Sequence, residues 1–140
     1  MPGLPGREKS FASAIVAVGV DLVDLDRIER LLDAEGDRFL ARVFTAAERE
    51  YCMARARPVP SLAARFAAKE AVMKCLGTGF GEGVGFAQIE VVRSPRGEPS
   101  VALHGRAAAV AAERGIAGFR LSLSHGDRQA IAFAVALAAS

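Results

Sequence analysis

A chain of 140 residues, 51% hydrophobic and 24% charged, is long enough for one buried core and too apolar to remain disordered. Its net charge of +2 arises from acidic and basic residues that alternate between Asp21 and Arg57, so no long basic run marks a nucleic-acid partner. The two cysteines, Cys52 and Cys75, lack metal-ligand spacing and read as free thiols of a reducing cytoplasm.

The opening MPGLPGREKS holds two prolines and two glycines and lacks the apolar stretch of a signal peptide, so residues 1–13 are expected to be a flexible extension of a single domain at 14–140. AIVAVGV, residues 14–20, reads as a β-branched strand that leaves Asp21 at its end. DLDRIERLLDAEG places Leu25, Ile28, Leu31 and Leu32 at helical spacing, with Asp24 to cap the start and Gly36 the end. Thr45, with Glu48 three residues on, is the capping box of another helix, which Pro58 and Pro60 are expected to end.

A long helix is predicted over residues 61–76, stopped by Gly77. FAQIEVVR and PSVALH flank SPRGE as a hairpin, and GRAAAVAAERG is a short helix closed by Gly115. In the last unit, GFRLSLSHGDRQAIAFAVALA, a three-residue loop at 126–128 predicts Leu123 opposite Ile131, Leu121 opposite Phe133 and Phe119 opposite Val135. That register gives one large apolar face, while Ala130, Ala132, Ala134 and Ala136 leave the other open to a helix or a second subunit. The tail AIAFAVALAA is too short and too alternating to span a membrane. A strand, three helices, a hairpin, a helix and a hairpin imply an α+β fold with a mostly antiparallel sheet.

The chemistry concentrates in RFAAKEAVMKCLGTG, residues 65–79. Lys69 falls within the apolar stripe of Leu62, Phe66, Met73 and Leu76, so its stem snorkels to solvent or its ammonium holds an anion at a cleft. Glu70 and Lys74 stand four apart, spaced for a helix ion pair or for service to a ligand. The run GTGFGEGVG beyond them offers amides and the Thr78 hydroxyl to a phosphate, or is a plain flexible turn. It follows a helix, so it is neither a P-loop nor a dinucleotide fingerprint. Asp21 and Glu70 together match the one or two carboxylates that Mg²⁺ takes alongside substrate phosphates. His125 at the hairpin tip is a solvated turn residue or a phosphate donor. Arg27, Arg30, Arg42 and Arg49 form a basic rim, or a mixed surface neutralised by Asp26, Glu29, Asp33 and Glu48.

Three separated stretches, GVDLVDLDRI at 19–28, RFAAKEAVMKCLGTG at 65–79 and SLSH at 122–125, resemble the holo-[acyl-carrier-protein] synthases, the stand-alone 4′-phosphopantetheinyl transferases. The resemblance covers nearly all of the chain beyond Ala14 and implies that family's fold. It implies transfer of phosphopantetheine from coenzyme A to a serine of an apo acyl carrier protein, with Asp21, Glu70 and Lys74 catalytic. Asp21 and Glu70 would hold Mg²⁺, with Glu70 or a water on the metal as base. Arg65, Lys69, Lys74, Gly77, Thr78, Gly79 and His125 would surround the phosphates and adenosine end of coenzyme A, and Arg27 would meet the carrier protein. A cytoplasmic homotrimer with sites between subunits is implied, giving the alanine face a purpose. Two other readings stay open: a divalent-metal nuclease built on Asp21, Glu70 and Lys74, and a non-catalytic nucleotide-binding subunit.

Overall fold

Small side chains bring helix and sheet together in this chain, whose computed structural model describes residues 14–79 and 81–140. The extension expected at 1–13 lies outside the described residues. Strand β1 (Ile15–Asp24) leads into helices α1 (Leu25–Glu35), α2 (Asp37–Val43), α3 (Ala46–Met53) and α4 (Pro58–Leu76). A 3₁₀ turn (Phe86–Gln88) precedes the hairpin β2 (Ile89–Arg93) and β3 (Pro99–Leu103), then α5 (Gly105–Glu113), β4 (Ile116–His125) and β5 (Gln129–Ala138). The strands form a three-stranded antiparallel sheet, ordered β1-β5-β4, and the separate β2-β3 hairpin. The α+β architecture is as the sequence implied, and among the described residues no helix is long and apolar enough to cross a membrane.

Helix α4 lies across the sheet on β1 and β5. Ala130, Ala132, Ala134 and Ala136 are all fully buried, and so are Ala63, Ala67, Ala68 and Ala71 of the helix. Both surfaces are shaved to methyl groups, so backbone approaches backbone. At Gly19 the approach is closest: a Cβ there would stand 2.2 Å from the Ala71 carbonyl oxygen. Only glycine fits.

Five expectations are corrected, the last of them at a helix end. The last hairpin pairs Leu123 with Ala132, Leu121 with Ala134 and Phe119 with Ala136, one residue out of the predicted register. Its turn is closed by Gly126 N–H donating to Gln129 O at 2.9 Å, and large side chains sit opposite small ones under the helix. The slip sends Ile131 and Phe133 to the other face, where with Val18, Val20 and Leu22 they are 42–57% exposed. Second, β1 continues past Asp21, which pairs with Ala132 inside the strand. Third, Pro58 and Pro60 do not end α3 but stand in the first turn of α4, where a missing N–H costs no helical bond. Fourth, α2 is an additional helix, with Phe39, Leu40 and Val43 buried.

The helix ends divide. Thr45 and Glu48 form the expected capping box, and Gly77 closes α4 at φ 76°. Gly36 closes α1 at φ 53°, but the Asp24 side chain does not cap it and instead accepts from Gln129 Nε2 at 3.0 Å.

Candidate active site

The close packing at Gly19 sets up the first cluster, because Asp21 lies two residues along the same strand face. Lys74, one turn beyond Ala71 on α4, reaches over to donate from Nζ to Asp21 Oδ1 at 3.1 Å and to Val20 O at 2.7 Å. The intrahelical pair with Glu70 is not made. Glu70 Oε1 is buried without a hydrogen-bond partner, and the nearest cation, Arg27 Nη1, stands 3.9 Å away. Burial, then the negative charge of Asp21, pushes the Glu70 carboxyl above its ordinary range, while Arg27 and Lys74 pull it back.

A half-buried carboxylate facing a second carboxylate, with one oxygen orphaned, is the arrangement a cation relieves. Among the described residues no group of three or more His, Cys, Asp or Glu comes together, so the chain offers two carboxylates there. That number suits Mg²⁺, which keeps waters and takes substrate phosphates as ligands. The residues present fit the ion.

The second cluster is basic. A cavity of about 520 Å³ is lined by Tyr51, Arg55, Arg57, Arg65, Arg93 and His125, among others. Arg65 is buried, donating from Nη1 to Ser61 Oγ at 2.9 Å and leaving Nε without a partner. None of the four arginines pairs with a carboxylate among the described residues. Of this set the sequence reading reached Arg65 and His125 and missed Tyr51, Arg55, Arg57 and Arg93. A signal was present for two of them: MARARPVPS, residues 53–61, holds both arginines and no acid.

Lys69 belongs to neither cluster, which corrects its assignment to coenzyme A phosphates. It is fully buried, and Nζ donates to Glu48 Oε1 at 2.6 Å, to Phe86 O at 3.2 Å and to Ile89 O. All three protons are used, so it neither snorkels nor holds a free anion. Burial lowers its proton affinity, and the charges of Glu48 and Glu90 oppose that.

The Gly77, Thr78 and Gly79 turn sits where α4 ends. The Gly77 amide is engaged with Met73 O and Lys74 O, and the Thr78 hydroxyl donates to Gly79 O at 3.1 Å. Gly79, at φ 56°, has open space where a side chain would be. Arg27 is half exposed beside Glu70, its guanidinium 5.1 Å from the Phe66 ring centre. Of the other rim arginines, Arg42 pairs with Glu35 at 2.6 Å and Arg49 with Asp37 at 3.9 Å.

One chain does not bring the expected site together. Arg65 and Lys74 are nine residues apart on α4, about 13 Å along its axis and about 180° around it. Asp21, Glu70, Lys74, Gly77, Thr78 and Gly79 all lie outside the lining of the basic cavity.

The sequence profile of the 4′-phosphopantetheinyl transferase superfamily matches residues 17–134. A holo-[acyl-carrier-protein] synthase of Desulforudis audaxviator is 52% identical over 126 residues, covering 90% of this chain and 95% of that protein. The crystal structure of holo-[acyl-carrier-protein] synthase from Neisseria meningitidis matches with a TM-score of 0.80 at 36% identity, over 87% of this chain and 98% of that one. The Helicobacter pylori synthase in complex with coenzyme A matches with a TM-score of 0.76 at 30% identity, over 86% and 99%.

Proposed function

Because the chain belongs to the 4′-phosphopantetheinyl transferase superfamily, among its holo-[acyl-carrier-protein] synthases, we propose that Asp21 and Glu70 hold the Mg²⁺ of a phosphopantetheine transfer. The chain is a phosphopantetheinyl transferase, moving the 4′-phosphopantetheine arm of coenzyme A to a serine of apo acyl carrier protein. The observation that carries the metal assignment is the orphaned Glu70 Oε1 beside Asp21.

When bound, Mg²⁺ supplies positive charge to the diphosphate oxygens and to the leaving phosphate. Lys74, fixed by Val20 O and Asp21, adds a cation at the same place without reorganising. The serine oxygen forms the new bond to phosphorus, the phosphoanhydride bond breaks, and adenosine 3′,5′-bisphosphate leaves. The serine proton passes to Glu70 or to a water beside it. Thr78 and Gly79 border the diphosphate from the helix end.

Coenzyme A carries phosphate in two places, and the chain carries two clusters, one with carboxylates for a cation and one basic. The diphosphate belongs with Asp21, Glu70 and Lys74. The basic cavity, with Arg65 and His125, takes the adenosine end and its 3′-phosphate. Arg27, exposed beside Glu70, meets the acidic surface of the carrier protein.

The two clusters point away from each other on α4, so a complete site takes its halves from neighbouring copies in a homotrimer. The exposed face of Val18, Val20, Leu22, Ile131 and Phe133 supports that assembly. The alanine face does not serve it, being covered by α4. Cytoplasmic fatty-acid synthesis is one setting in which such a carrier protein works.

The test is the intact mass of apo acyl carrier protein after incubation with enzyme, coenzyme A and Mg²⁺. A gain of one phosphopantetheine arm is expected, abolished by EDTA and by Asp21→Ala or Glu70→Ala. Full transfer by either variant would remove the metal assignment.

A further inference from the structure

The basic cavity poses a problem of like charge. Arg55, Arg65 and Arg93 converge with no carboxylate paired to any of them among the described residues, and Arg65 is only 5% exposed. What they share is one aromatic ring. The guanidinium carbons of Arg65, Arg55 and Arg93 stand 4.4, 5.2 and 5.3 Å from the centre of Tyr51. Arg55 Nη1 also donates to the Tyr51 hydroxyl at 3.0 Å.

An aromatic face attracts a guanidinium through its quadrupole without neutralising it. A carboxylate in the same position would also hold arginines, but it would cancel one of the three charges. Tyr51 therefore gathers three cations and leaves them charged. Arg65 Nε is buried without a hydrogen-bond partner, so no other group holds that edge of the guanidinium.

We infer that Tyr51 is a positioning residue for substrate selection, holding Arg65, Arg55 and Arg93 as a preassembled cluster that reads the phosphomonoester of coenzyme A. The inference rests on the assignment of this cavity to the nucleotide end. It adds the reason that the cluster exists before substrate arrives: the ring lowers the mutual repulsion of its cations in a half-buried site. Tyr51 itself touches no reacting atom, so its loss weakens binding of the 3′-phosphate and leaves the chemical step alone.

The experiment compares coenzyme A with 3′-dephospho-coenzyme A as donors for apo acyl carrier protein, in wild type, Tyr51→Leu and Tyr51→Phe. Wild type is expected to favour coenzyme A through KM. Tyr51→Leu is expected to raise KM for coenzyme A by about 10-fold and KM for the dephospho donor by much less, with kcat for both donors unchanged. Tyr51→Phe keeps the ring and restores most of the preference. An unchanged kcat also shows that the variant is folded. If Tyr51→Leu keeps the wild-type preference, or raises both KM values in parallel, the positioning role is overturned while the cavity assignment stands. If wild type makes no distinction between the donors, the cavity assignment fails and the role of Tyr51 falls with it.

Discussion

Replacing Lys69 by methionine separates a structural charge from a ligand-binding one. The side chain keeps nearly its volume and loses the ammonium that serves Glu48 Oε1, Phe86 O and Ile89 O. Removing one partner of a buried ion pair costs about 3–5 kcal/mol. Glu48 retains two backbone donors, Thr45 N on Oε1 and Val91 N on Oε2, each at 2.9 Å, which places the loss at about 3–4 kcal/mol. With an unfolding entropy of about 2.1 cal/mol/K per residue, a chain of this length melts about 10–14 °C lower. Adding Glu48→Gln removes the stranded charge but turns an amide NH₂ toward the Thr45 or Val91 N–H, so it is expected to recover only a small part of that. Thermal melts at fixed protein concentration measure the shift, and coenzyme A kinetics below the melt complete the test, with KM expected unchanged. A Lys69→Met enzyme melting within about 3 °C of wild type while its KM for coenzyme A rose about 10-fold would refute the reasoning and return Lys69 to the substrate.

Three further outcomes follow from named contacts. Val20→Asp puts a charge on the exposed apolar sheet face, so sedimentation is expected to show monomers and transfer is expected to be lost; an active monomer would place the whole site in one chain. Arg27→Glu reverses charge beside Glu70 and is expected to raise KM for the carrier protein more than KM for coenzyme A; equal effects would remove the docking role. Glu90 has its carboxyl held below the ordinary value of 4.5, first by the hydrogen bond with His104, with the Thr45 hydroxyl adding to it. Its folded state therefore binds a proton less readily than its unfolded state, so this stability is complete above pH 4.5 and is lost as pH falls through the lower folded value. His104→Ala is expected to flatten that part of the acid limb in pH-dependent melts, and superimposable limbs would exclude the contribution.

The elements were legible where one residue type decides the backbone: the capping box at Thr45, the glycine stop at Gly77, the alternation in β4 and β5. The register of the last hairpin was not, because both strands alternate. Phe119, Leu121 and Leu123 satisfy an alternating pattern equally well opposite large or small residues, and the choice rests on one residue of turn length. Lys69 was legible as an inward lysine from its place on the apolar stripe, yet its partner was hidden. Glu48, 21 residues earlier, already had a role in the capping box, and a carboxylate with four lone-pair sites can hold more than one role. The cluster on Tyr51 was hidden for another reason: its arginines come from α4, the segment before it and β2, and no spacing links them.

Helix α4 shows why one short stretch holds side chains with such different tasks. Successive residues turn by about 100°, so the position of each charge on the helix fixes the surroundings it meets. Arg65 faces the cavity beside β4, and Lys69, about 40° around from it, faces the core and Glu48. Glu70 and Lys74 face β1, where Gly19 has let the helix close in on Asp21. The same rigidity that places each group so well keeps Arg65 and Lys74 on opposite sides, and no side-chain rearrangement turns one toward the other. On the proposed reading, a substrate with phosphate in two places engages both clusters where a second copy presents its cavity to the first copy's carboxylates. On that reading the apolar outer face of the β1-β5-β4 sheet is the surface on which the proposed reaction depends.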